Sequence, residues 1–123
     1  MIEHLFPTPI YTHVPKRDEI WFIQEEIKKI LPEIREKDRF EQPVGWEDPV
    51  QSNINHRYNT ILDYKMQHLY RYIEKHTAEY INAMNPFLKR DLKMHAAWVN
   101  ITDKGESQEW HTHTDAYISG VYY

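Results

Sequence analysis

A chain of 123 residues, 41% apolar and 14% aromatic, is long enough for one domain with a real core and too apolar for a disordered segment. The formal net charge of −4 argues against a dedicated nucleic-acid binder, which carries a basic face, and the absence of cysteine excludes a disulfide framework and any thiolate metal site. No apolar run reaches membrane-spanning length, and Met1–His4 lacks the character of a signal peptide, so a soluble cytoplasmic protein with no membrane partner is expected.

Residues 4–15 alternate apolar and turn residues, and Pro7, Pro9 and Pro15 restrict them to a short edge strand or extended segment. Asp18 is placed to cap a helix that follows. Ile20, Ile23, Ile27 and Ile30 or Leu31 share one face of it, Glu25, Glu26, Lys28 and Lys29 face solvent, and Pro32 ends or kinks it. Residues 35–59 mix charges with Pro43, Gly45, Pro49 and several Asn. They read as a long loop, with Trp46 as its anchor.

Thr60 and Asp63 resemble a capping box. The helix they open carries Leu62, Met66, Leu69, Ile73, His76, Tyr80 and Met84 at helical spacing, and Asn85-Pro86 stops it. Such a stripe belongs in a core, with His76 a hydrogen-bonded core histidine rather than a ligand. The period then changes. Lys93–Thr102 alternates as a strand, Asp103-Lys104-Gly105 signals a turn, and further extended runs cover Glu109–Asp115 and Tyr117–Tyr123. Helices followed by a strand meander predict an α+β domain spanning residues 1–123.

The chemistry concentrates in residues 110–123. His111, His113 and Asp115 alternate at i, i+2, i+4, which in an extended strand places them on one face. Three such residues span too far to reach one ion without bending the strand, so two of the three are expected to be metal ligands. Two histidines and a carboxylate with open positions form the facial triad of non-haem iron oxygenases, and the same donors can hold zinc. Spacing alone is equally compatible with a solvated strand face. Gly120, within an apolar run, marks a close approach of backbone or ligand, and Tyr122 and Tyr123 point to opposite faces.

The runs Ala97-Trp98-Val99-Asn100-Ile101, Trp110-His111-Thr112-His113 and Ser119-Gly120-Val121-Tyr122-Tyr123, in that order, resemble the 2-oxoglutarate/iron(II)-dependent oxygenase family of phages and marine bacteria. The opening Leu5-Phe6-Pro7-Thr8-Pro9-Ile10-Tyr11 is similar to its N-terminal signature. The resemblance implies a double-stranded β-helix (jelly-roll or cupin-like) preceded by helices that pack on an antiparallel sheet. It also implies iron(II) at the His-x-His segment and 2-oxoglutarate as cosubstrate. His111 and His113 match the two family histidines, Thr114 stands where the family has Pro, and Asp115 makes a His-x-Asp with His113, leaving the ligand register open between the two pairs. Tyr123 matches a tyrosine that holds the distal carboxylate of 2-oxoglutarate in prolyl-hydroxylase-like relatives, and Asn100 is a second cosubstrate-binding candidate. The family's distal iron-binding His and its basic 2-oxoglutarate anchor fall beyond Tyr123. The expectation is therefore the N-terminal portion of a hydroxylase domain, incomplete or inactive as this chain alone, with self-association into a homodimer as one means of closing the sheet. Two other functions compete with this one. A non-catalytic interaction module would keep the fold without turnover; a zinc hydrolase is disfavoured because no general base is positioned for it.

Overall fold

The computed structural model describes residues 8–87, 92–109, 111–113 and 115–123. Along the chain these residues form α1 (Arg17–Lys37), β1 (Gln51–Ser52), α2 (Thr60–Asp63), α3 (Gln67–Met84) and β2 (Asn100–Ile101). The architecture is α+β, with three helices and a small two-stranded antiparallel sheet.

The apolar stripe of α1 packs against α3. Ile23, Ile34, Met66 and Leu69 are buried, and Ile27, Ile30, Phe40, Ile61, Tyr64, Tyr72, Ile73 and Tyr122 close around them. Each fully buried isoleucine contributes about 1.5–3 kcal/mol relative to exposure. Helix α1 begins one residue before the expected Asp18 cap. Lys16 is the N-cap residue, and the Glu19 carboxylate reaches back to accept from its backbone N–H at 3.2 Å. Asp18 instead lies in the first turn, where its charge suits the helix dipole.

Helix α1 also runs through Pro32 to Lys37 rather than ending there. Proline removes one backbone donor, but Pro32 faces solvent, and continuing the helix carries Ile34 into the core at 1% exposure. The expected second helix is two. Asn59, not Thr60, caps α2, accepting from the Leu62 N–H at 3.1 Å. The chain then breaks at Lys65, whose φ of 55° is left-handed, before α3 begins. Met66 and Leu69 reach the same core on either side of this break, which is why a single stripe reads across it. The α3 N-cap residue, Met66, has no side-chain cap of its own. Glu26 of α1 supplies it, accepting from the His68 and Leu69 N–H groups at 3.0 Å. Asn85 ends α3 as expected.

The strand meander is where sequence and structure part most. Of the 93–102 alternation, Asn100–Ile101 alone forms a strand, paired antiparallel with β1 in the register Gln51↔Ile101 and Ser52↔Asn100. Isolated bridges join Glu41 to Ser52 and Asn59 to Ala97. The described residues of 109–115 and 117–123 carry no strand, and residues 8–16 carry no regular element. Alternation needs a partner of matching length, and β1 offers two residues. The 35–59 segment, in turn, is no surface loop: Val50, Ser52, Asn53 and Asn59 within it are buried.

A polar hub lies under this segment. The Asp38 side chain is fully buried. It accepts from Arg57 Nη2 at 2.6 Å and Nε at 2.8 Å, from the Tyr64 hydroxyl at 2.7 Å and from Asn53 Nδ2 at 2.7 Å. Asn53 also donates to Thr60 Oγ1 at 2.9 Å, and its Oδ1 accepts from the Val99 N–H at 2.8 Å. Burial pushes the Asp38 carboxyl up, but the hydrogen bonds from Arg57, Tyr64 and Asn53, with the guanidinium charge, outweigh it and hold it at about 2. Burial first, then the bond to Asp38, push the Tyr64 hydroxyl up to about 12.

Candidate functional site

Three segments converge at the end of the molecule that carries the histidine motif. Residues 43–48 bring Trp46, Glu47 and Asp48; residues 94–101 bring Trp98; and the segment after the Gly105 turn brings Glu109, His111 and His113. The second of these is docked by the polar hub through Val99, and Ala97 accepts from the Thr60 N–H at 2.7 Å.

The two imidazoles face each other edge to face, with ring centroids 4.9 Å apart, and their Nε2 atoms are 3.2 Å apart. The indole of Trp46 lies 5.8 Å from the His111 ring and that of Trp98 5.5 Å from the His113 ring, so one tryptophan flanks each histidine. His111 Nδ1 is 2.9 Å from the Glu109 carbonyl oxygen. A carbonyl can only accept, so Nδ1 carries the proton and the neutral His111 presents its Nε2 lone pair toward His113. Metal-binding histidines are commonly oriented in this way. Metal–imidazole bonds of about 2.0–2.1 Å, meeting at one ion at right-angle to tetrahedral openings, leave the two nitrogens about 2.8–3.4 Å apart. The observed separation falls inside that range, and it is also that of an N–H···N hydrogen bond between the two rings.

Of the two registers left open, the structure pairs His111 with His113 rather than His113 with Asp115. Asp115 sits exposed in a turn, and among the described residues no group of three or more His, Asp or Glu side chains is arranged to hold a metal ion. Trp110 and Thr114, which complete the motif, lie outside the described residues, as do Leu5, Phe6 and Pro7 of the N-terminal signature. Asn100 is exposed on β2, and Tyr123 is fully exposed, so neither of the two cosubstrate candidates enters an enclosed cavity.

The acidic groups beside the pair were not legible as a cluster. The negative charge of Glu47, some desolvation, a hydrogen bond that the protonated Glu109 donates to Glu47, and the charge of Asp48 all push the Glu109 carboxyl up. Asp48 Oδ2 is buried without a hydrogen-bond partner among the described residues. In sequence, Glu47 and Glu109 lie 62 positions apart, and no periodicity connects them.

A second histidine cluster lies on α3. His76 is a buried core histidine, as its place on the apolar stripe predicts, with Nδ1 bonded to Tyr11 and Glu79. Comparisons with protein-family models, with curated proteins and with solved structures find no match to this chain.

Proposed function

We propose that this chain is built as a 2-oxoglutarate/iron(II)-dependent oxygenase, with His111 and His113 as its iron-holding pair. The observation that carries the reading is the 3.2 Å approach of two Nε2 atoms, one of them presented by the Nδ1 bond of His111 to a backbone carbonyl. The sequence resemblance supports it, and with it a double-stranded β-helix of which β1 and β2 are part. When bound, iron(II) with 2-oxoglutarate supplies dioxygen activation and oxidation of a substrate C–H bond. The histidines of this chain would hold and orient the ion, with the indoles of Trp46 and Trp98 beside them. Tyr123 and Asn100 remain the proposed cosubstrate contacts.

Titration with manganese(II), a redox-inert stand-in for iron(II), tests the pair directly. The His111→Ala/His113→Ala double variant is expected to bind at least tenfold more weakly than the wild type, at an affinity already modest because two imidazoles come together and no third ligand joins them among the described residues. Equal affinity in the two proteins would remove the metal reading. Succinate release from 2-oxoglutarate then separates turnover from binding alone.

A second reading, a non-catalytic interaction module of the same fold, is favoured by the exposed apolar side chains of the C-terminal segment, Tyr117 at 66% and Val121 at 75% exposure. A homodimer through this face is its simplest form. Light scattering over a dilution series is expected to show a dimer that a Val121→Lys variant loses. A wild type that stays monomeric at high concentration would count against it.

A further inference from the structure

Residues 8–16 are held to α3 by a ladder of aromatic contacts. The Tyr80 hydroxyl donates to the Pro9 carbonyl at 3.2 Å. The Tyr11 hydroxyl donates to Glu79 Oε2 at 2.8 Å and lies 2.8 Å from His76 Nδ1. The His13 ring stacks on the His76 ring, with centroids 3.8 Å apart and planes inclined by 25°, and its Nδ1 is 2.6 Å from the Tyr72 hydroxyl. His76 is 7% exposed and its Nε2 has no hydrogen-bond partner among the described residues.

Proton counting fixes the neutral arrangement. Tyr11 has one hydroxyl proton, and Glu79 receives it, so Nδ1 of His76 carries the hydrogen shared with Tyr11 and Glu79. The Nε2 lone pair is left buried. A further proton on His76 must go to that nitrogen, where it becomes a buried N–H with no acceptor. A proton on His13 places a second positive charge against the first across a 3.8 Å stack.

We propose that His13 and His76 form a proton-operated latch, which fastens residues 8–16 to α3 at neutral pH and releases them in mild acid when both rings are charged. The charged and titratable groups around the stack are Glu19 from α1, Tyr72, Lys75 and Glu79 from α3, Tyr11 from the fastened segment and Tyr122 from the C-terminal segment. The Tyr11 bond, followed by the charge and hydrogen bond of His76, holds the Glu79 carboxyl below its ordinary range. The Lys16 backbone N–H and then Lys75 do the same for Glu19. Both therefore stay ionised through mild acid, and imidazole is the side chain whose charge changes between about pH 5 and 8. Glu79 offsets one positive charge on His76; Lys75, bonded to Glu19 at 3.2 Å, reduces what Glu19 can offer to His13.

The native chain has no cysteine, so a Thr12→Cys variant accepts a single nitroxide label beside the latch. The mobile fraction of its electron paramagnetic resonance spectrum is expected to rise at least threefold, reversibly, between pH 7.5 and pH 5.5, in the range set by imidazole titration. Adding His13→Phe, which keeps the ring stack and removes the charge, should abolish the rise, and His13→Gln should do so without the stack. A label that does not respond in the wild-type background, or whose rise persists undiminished in His13→Phe and His13→Gln, overturns the latch. So does loss of helical circular dichroism over the same interval, because the opening would then be global.

Discussion

Replacing Asp38 with alanine is expected to destabilise the fold by about 3–5 kcal/mol, because it leaves the Arg57 guanidinium without its buried partner. For a domain of this size that lowers the melting temperature by roughly 10–15 °C. The same change strips acceptors from the Tyr64 hydroxyl and from Asn53 Nδ2, so the loss spreads through one network and does not add simply to mutations at those positions. The hub also predicts an acid limb. Asp38 sits at about 2 in the folded chain, below its ordinary value of 3.8. A depressed carboxyl contributes stability that is fully present above its unfolded value and disappears as the pH falls through the folded one. Wild-type stability should therefore drop between about pH 4 and 2, by about 2 kcal/mol from this group. Thermal melts of wild type and Asp38→Asn across that interval check it, and a variant whose curve keeps the same acid slope would show that other carboxylates govern the limb.

The second large effect is expected at Asn53, which is fully buried and ties the hub to the segment carrying Trp98. Asn53→Ala leaves the Val99 N–H without its 2.8 Å acceptor and Thr60 Oγ1 without its donor. The cost is about 2–3 kcal/mol, read as a lower urea midpoint with an unchanged slope. Trp98, the neighbour of Val99, lies against His113. The same variant is therefore expected to bind manganese(II) several-fold more weakly under conditions where it remains folded. Unchanged affinity would mean that the histidine pair is held independently of the 94–101 segment.

What could be read in advance follows from which interactions are periodic. Helices α1 and α3 were legible because Ile23, Ile27 and Ile30, and Leu69 and Ile73, repeat at the helical period and meet in one core, although the reading stopped α1 at Pro32, short of Ile34. The break at Lys65 was not, because the apolar spacing passes across it unchanged and the backbone reversal leaves no mark on the pattern. The Asp38 hub was invisible for a related reason. Its members sit in a stretch that looks like solvated loop, and nothing in a linear pattern shows that Arg57 and Asn53 turn inward toward one carboxylate. Alternation over 93–102 was real, yet β-structure depends on a partner, and the partner strand is two residues long. The closeness of His111 and His113 was expected from a strand face. The structure brings them together in irregular chain instead, with the Glu109 carbonyl orienting one ring and Asp115 left out.

The reach of the Asn53 bond to Val99 bears on the order of assembly. Among the described residues the side-chain partners of Asp38 lie between positions 53 and 64, no more than 26 residues away, so the hub closes short loops and suits an early folding event. The bond to Val99 spans 46 positions and the Thr60–Ala97 bond 37. By loop length, the segment that carries Trp98 docks after the hub and opens more readily than it. Slow exchange at amides inside α1, with faster exchange at Val99 and Thr60, would record that hierarchy, and would make the histidine pair a device whose readiness is set by a partial unfolding equilibrium well short of global denaturation.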